Sequence, residues 1–268
     1  MVNAITSRLS LPAQERLRNA SRWSKSRACR AFEDAEVSRL GPDPLASAEV
    51  CVIMPTYQRD ERLAQAVGSV LAQTVDDLAV VVVSDGPTAP VGLPDDERVV
   101  TITLSEHVGV VGVVRNVGIR TSRSPFIAFL DDDNTWQPNH LATVLPPLRG
   151  GADIAYTGVE RVLDDGRRFD VLDEPFDRGR LKARNYIDVN SLAIARVDDA
   201  LFNRMPRRPA ESPGEDWELV WRLSHGRDVV SNPTPTVRYV IHPGSYFWQG
   251  FSEWADQELR GHDAAPPE

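Results

Sequence analysis

Three consecutive aspartates, Asp131, Asp132 and Asp133, directly follow the apolar run at 126–130. Carboxylates that close repel one another unless a cation or solvent offsets them, and a divalent ion is the economical solution. Mg2+ and Mn2+ suit oxygen ligands and are commonly held by one or two carboxylates plus substrate phosphates, with water elsewhere. An exposed acidic turn opening the next loop is the competing explanation. Asp85 and Gly86 follow another apolar run; such a carboxylate can accept an N–H from a nucleobase, and the glycine lets the backbone turn close to it. A simple turn accounts for that pair equally well. Glu215 and Asp216 open a helix, where acids suit the dipole, or where one of them serves as general base toward an acceptor hydroxyl. Arg115 and His242, each taken alone, are ordinary structural residues.

The elements that must position these groups begin at Val50. Short apolar strands at 50–54, 79–84, 99–104 and 126–130 alternate with helical stretches at 60–73 and 110–121, and a further helix covers 138–148. Continuous apolar strands belong in a parallel sheet covered on both faces. Its carboxyl edge then gathers Thr56, Tyr57 and Arg59, next Asp85, and then the three aspartates, at the edge where open α/β sheets bind ligands. After 150 the alternation breaks down into a strand near 154–157, a hairpin turning at Asp164, Asp165 and Gly166, an apolar segment at 189–195, the helix from Glu215 and a strand at 237–241. An aromatic tail follows, with Tyr246, Phe247, Trp248, Phe251 and Trp254. The expected division is a helical extension over 1–48, a nucleotide-binding half over 49–149, and a mixed α+β half with the tail over 150–268.

The extension is basic: Arg8, Arg16, Arg18, Arg22, Lys25, Arg27 and Arg30 stand against Glu15 within the first thirty residues. Its apolar stripe, Leu17, Ala20, Ala28, Ala31, Phe32 and Ala35, is thin and alanine-rich. Packing of that stripe on the domain is the plain expectation; membrane-surface attachment or a homo-oligomer contact is the sharper one. The whole chain of 268 residues carries a net charge of −9, which argues against a protein built to hold a nucleic-acid backbone. No signal-peptide core is present, and the apolar run at 78–83 is far too short to span a bilayer. Cys29 and Cys51 lie in unlike contexts, so neither a disulfide framework nor a zinc site is expected, and a cytoplasmic, soluble protein is.

Five stretches recur in a recognisable order: VIMPTYQRDERLAQAVGSVLAQT, VVVVSDG, GVVGVVRNVGI, FIAFLDDDNTWQPNHL and GEDWELVWRL. Together they resemble the family 2 glycosyltransferases of the GT-A fold, over residues 50 to about 225. The resemblance implies an α/β, Rossmann-like, mostly parallel sheet with a mixed acceptor-side half, and sugar transfer from a nucleotide diphosphate donor, UDP favoured, to an acceptor hydroxyl. By the same resemblance Pro55, Thr56, Tyr57 and Asp85 hold the base, and Arg115 and Asn116 lie by the nucleotide. Asp131 and Asp133 deal with the ribose and with Mn2+ or Mg2+ on the diphosphate, and Asp216 is the base. Arg59 and Asp132 join the donor-binding candidates, Glu215 is the alternative base, and His242 is a further candidate metal ligand. Gln58 stands where the family usually has asparagine, and Ser84 where it often has a first aspartate.

Two other functions use the same residues. Asp131 to Thr135 fits the D-x-D-x-T pattern of haloacid-dehalogenase-like phosphatases, with Asp131 as nucleophile, although the motif falls on the fourth strand and the chain holds only Lys25 and Lys182. A catalytically silent sugar-nucleotide-binding module would keep the first half and need no base. No G-x-G-x-x-G follows the first strand, which leaves a dinucleotide-dependent oxidoreductase without support.

Overall fold

A computed structural model of the chain describes residues 11–43, 46–206 and 214–245. The aromatic tail from Tyr246 to Trp254 lies outside the described residues. The centre of the molecule is β1 (Val50–Thr56) and β2 (Leu78–Ser84), every residue of which is buried. Alternate side chains of these strands feed two separate cores. Cys51, Ile53, Val81 and Val83 face one side; Val50, Val52, Met54, Val80 and Val82 face the other. A strand with helices on both faces needs apolar residues at every position, which is why the sequence shows unbroken runs there.

The second core is closed by α2 (Asp60–Leu71), through Leu63, Ala66, Val67 and Val70, and by α4 (His140–Arg149). The first core is closed by α3 (Val111–Arg120), α6 (Glu215–Leu223) and part of α1 (Leu11–Leu40). Gly118 lets α3 approach the sheet: a Cβ there would lie 3.0 Å from Ile53 and 3.1 Å from Val83. Each fully buried valine or leucine contributes about 1.5–3 kcal/mol, so these two layers dominate the stability.

The sheet runs β3 (Val99–Thr103), β2, β1, β4 (Phe126–Phe129), β8 (Leu192–Ala195), β6 (Ile154–Leu163), β9 (Val229–Ile241) and β5 (Thr135–Trp136), with β7 (Arg168–Leu172) paired to β6. Pairing is parallel from β3 through β4 and turns antiparallel at β8. The α/β architecture expected from the sequence is therefore present, and one sheet continues through both halves. The short helix α5 (Arg178–Leu181) lies between β7 and β8.

Two elements differ from expectation. β9 begins at Val229, eight residues before the predicted start, because it accommodates Pro233 and Pro235 by shifting register against Thr157, Gly158 and Val159 of β6. A Cβ on Gly158 would come within 2.6 Å of the Pro233 carbonyl, and proline in a strand is tolerated where the ladder is interrupted. Of the expected stripe of α1 Phe32 packs on the core, whereas Leu17 is 54% exposed, and Ala20, Ala28, Ala31 and Ala35 are exposed. Cys29, Glu33 and Glu36 are buried instead, with Phe32, Val37 and Leu40 against the core. Glu33 accepts from Arg120, Arg204 and Asn116 at 2.6–2.9 Å, and these charge-assisted bonds anchor the helix where methyl groups offer little area.

Candidate functional site

The carboxyl ends of β1, β2 and β4, the start of α3 and the start of α6 surround a cleft of about 580 Å3. Of the residues selected from sequence, Pro55, Thr56, Tyr57, Arg59, Asp85, Arg115, Asp131, Asp132, Asp133 and Glu215 line it. His242 adjoins it through its contact to Asp133, and Asp216 does not line it but follows Glu215, which does.

The three aspartates take different partners. Asp131 Oδ1 accepts from Arg115 at 2.5 Å, and its backbone N–H donates to Asn190 Oδ1 at 2.7 Å. Asp132 is buried and accepts from Thr56 at 2.8 Å and Arg59 at 3.1 Å. Burial, with the Asp133 charge adding to it, pushes Asp132 up to about 6 against the pull of Arg59 and Thr56. Asp133 Oδ2 lies 2.8 Å from Arg59 and 3.1 Å from His242 Nε2. The Gly244 N–H donates to His242 Nδ1 at 3.1 Å, so Nε2 carries the proton and donates to Asp133.

Arg115 spans the cleft floor. Its guanidinium is 2% exposed, reaches Glu215 at 2.9 Å opposite Asp131, and lies 5.0 Å above the Phe202 ring. Burial disfavours its charge, but Asp131 and Glu215 more than offset that, and the net shift is upward. Its neighbour Asn116 faces away, donating to Glu33 and to the Phe202 carbonyl and accepting from the Phe202 N–H. One helical residue thus enters the cleft while the next fixes the chain that carries Asn203 and Met205 along the cleft wall.

At the other end Asp85 accepts from the Val108 and Gly109 N–H groups at 2.8 and 3.0 Å, with His107 Nδ1 3.0 Å from its Oδ2. His107 stacks on Tyr57, ring centroids 4.0 Å apart and 20° from parallel. Gln58, next to Tyr57, has φ 56° and is the one non-glycine residue with positive φ among the described residues. Asparagine tolerates that left-handed region better, which gives a physical reason for the family's usual choice there. Gln58→Asn is expected to raise stability by up to about 1 kcal/mol without altering the cleft, as checked by urea unfolding.

Asp216 stands at the first turn of α6. Its Oδ1 accepts from the Trp217 N–H at 2.7 Å and its Oδ2 from Asn185 at 3.1 Å. Burial, followed by the charges of Glu215 and Asp188, pushes it up to about 7. Gly214 makes room for it, since a Cβ there would fall 2.5 Å from Asp216 Oδ1.

Sequence reasoning passed over Asn190 and His107. Asn190 holds Asp131 and also donates to Asp188 at 2.7 Å; it reaches the site only because β8 adds beside β4. His107 had one available signal, a polar residue just beyond the carboxyl end of β3. As to a metal, Asp133 offers a carboxylate oxygen, a donor that suits Mn2+ or Mg2+, whereas His242 Nε2 would ligate an ion only after giving up the proton that it donates to Asp133. Among the described residues no group of three His, Cys, Asp or Glu side chains is arranged to hold an ion unaided. Asp131 contacts Arg115 and Asn190.

Comparison with known proteins bears on the fold and the family. The succinoglycan biosynthesis protein ExoW of Rhizobium meliloti is 36% identical over 102 residues, 35% of this chain and 32% of that protein. The validoxylamine A glucosyltransferase of Streptomyces hygroscopicus subsp. limoneus is 32% identical over 125 residues, 43% of this chain and 28% of that protein. The matched parts therefore span about a third of these relatives' lengths. In three dimensions the chain superposes on S. aureus TarS in complex with UDP-GlcNAc with a TM-score of 0.57 at 15% identity, covering 81% of this chain and 68% of that one. It superposes on a Pyrobaculum calidifontis mannosyltransferase in complex with GDP-Man and Mn2+ with a TM-score of 0.54 at 18% identity, covering 91% and 77%. These matches establish the GT-A type of fold, and none points to a phosphatase. The profile of glycosyl transferase family 2 matches residues 51–210, well over half the chain, and with the site in place at the sheet's carboxyl edge the chain belongs to that family of glycosyltransferases.

Proposed function

We propose that the chain transfers a sugar, with inversion, from a nucleoside diphosphate donor, UDP favoured, to an acceptor hydroxyl, and that the transfer depends on a divalent metal. The observation that carries this is the charge of the cleft. Asp85, Asp131, Asp132, Asp133 and Glu215 line it against the guanidiniums of Arg59 and Arg115. A diphosphate entering so acidic a cleft needs added positive charge. Asp133 would hold Mn2+ or Mg2+, joined by His242 where its Nε2 proton is displaced, and the ion would supply charge neutralisation of the leaving diphosphate.

The chain's own residues do the rest. Tyr57, with Pro55, Thr56 and Asp85, frames the nucleobase end; Arg115 keeps Asp131 and Glu215 at fixed separation across the floor. Asp216, its carboxyl raised toward neutrality, accepts the proton of the attacking hydroxyl. Asp131 as a phosphatase nucleophile is disfavoured by its short contact to Arg115, because a carboxylate engaged by a guanidinium is a poorer nucleophile.

Titration calorimetry with UDP, dTDP and GDP tests the donor class. Binding of at least one, strengthened about tenfold or more by Mn2+, is expected. No binding by any of the three removes the nucleotide-sugar function.

A further inference from the structure

We propose that the exposed cations of α1 between Arg16 and Arg30, which lie on both sides of a kink at Arg22 (φ −127°, ψ 15°), dock on an anionic lipid surface. Residues 16–30 contain Arg16, Arg18, Arg22, Lys25, Arg27 and Arg30 and no acidic residue. The first thirty residues carry a net +6 and the rest of the chain −15, for the total of −9. Elsewhere arginines sit against carboxylates, as Arg98 on Asp96, Arg149 on Glu49 and Arg227 on Asp199. Among the described residues no carboxylate pairs with Arg16, Lys25, Arg27 or Arg30, all four of which are exposed.

Apolar groups stand among these cations. Trp23 is 62% and Leu17 54% exposed, and the Arg27 guanidinium lies 4.7 Å from the centre of the Trp23 ring. Arginine and tryptophan suit protein interfaces as well as headgroup layers, but six cations with no acid among them would meet the same six cations on a second copy, whereas anionic headgroups neutralise them. That composition favours a bilayer over a second copy of this chain. The acidic body would be repelled by the same surface, but only within about a Debye length, roughly 10 Å at 0.1 M salt, so contact is confined to the helix. Arg22 donates to the Pro206 carbonyl at 2.5 Å, directly after the stretch that supplies Asn203 and Met205 to the cleft wall. A docked α1 therefore sets that wall of the cleft beside the membrane.

The test is co-sedimentation of the full chain with vesicles of phosphatidylcholine alone and with about a quarter of phosphatidylglycerol added. The protein is expected to partition onto the anionic vesicles only and to be released by 0.5 M salt, near which the Debye length falls to a few ångströms. The triple variant Lys25→Glu, Arg27→Glu, Arg30→Glu should partition about a hundredfold less, at roughly fivefold per cation removed. Trp23→Ser should partition several-fold less, with the charges untouched. All four positions are exposed, and circular dichroism with a melting temperature matching the wild type separates lost docking from lost fold. Equal binding to both vesicle types, or unchanged binding by the triple variant, overturns the proposal. So does a dimer in vesicle-free sedimentation equilibrium that the triple variant abolishes, since that assigns the face to a second copy. None of these outcomes depends on the donor or the metal.

Discussion

Asp216→Asn is expected to lower kcat by roughly a hundredfold or more while donor affinity stays nearly unchanged. A general base acts in the transition state, so its loss falls on kcat and kcat/KM together. The amide is nearly isosteric, and its carbonyl can still accept from the Trp217 N–H, now at 2.7 Å, so the start of α6 is preserved. The pH dependence sharpens the test. With Asp216 pushed up to about 7 by burial and by Glu215 and Asp188, wild-type kcat/KM falls as pH drops below about 7, and the variant loses that limb. Stability moves the other way. A carboxyl whose pKa is raised on folding holds a proton that the unfolded chain releases, so wild-type stability declines as pH rises from about 4 to about 7. Asp216→Asn should therefore melt higher relative to wild type at pH 8 than at pH 4. Full transfer activity in the variant would refute the assignment and make Glu215, which lines the cleft beside Arg115, the next candidate. Trapping a phosphorylated enzyme would instead revive Asp131 as a nucleophile.

What the sequence disclosed was the part governed by local pattern. β1, β2 and β4 are buried on both faces, so each reads as an unbroken apolar run, and the polar residues after each run mark the sheet edge that becomes the cleft. What it concealed depends on pairing between distant segments. Asn190 meets Asp131 only because β8 reverses direction beside β4, and no spacing along the chain encodes that. Nothing in the sequence singles out Glu33, and it is 0% exposed because Arg120 and Arg204 come from two other elements to meet it. β9 was shortened by its prolines, whose cost is absorbed by an irregularity in the partner strand. The order of the five motifs carried the family, while the fourfold difference in surroundings among Asp131, Asp132, Asp133 and Glu215 is a property of the fold.

Asp133→Ala is expected to abolish the strengthening of nucleotide binding by Mn2+ and leave the fold intact. The surroundings of the carboxylate say why both halves hold. Arg59 keeps Asp132 at 3.1 Å and the Gly244 carbonyl at 2.7 Å when Asp133 is removed, so no guanidinium is left without an acceptor. Removing one of three adjacent negative charges also relieves repulsion on Asp132, whose carboxyl the Asp133 charge helps to raise. The cost falls on His242, whose Nε2–H loses its acceptor in a largely buried position, about 1–3 kcal/mol. Asp133→Asn provides the control, because the amide oxygen can still accept from His242 while binding a divalent ion far less well than a carboxylate. Both variants should lose the Mn2+ effect in calorimetry, and only the alanine variant should lose stability in urea unfolding. An unchanged Mn2+ dependence in both would move the metal off Asp133. A loss of the Mn2+ effect confined to the alanine variant would mean that an oxygen acceptor at position 133, and not its negative charge, is what the ion requires.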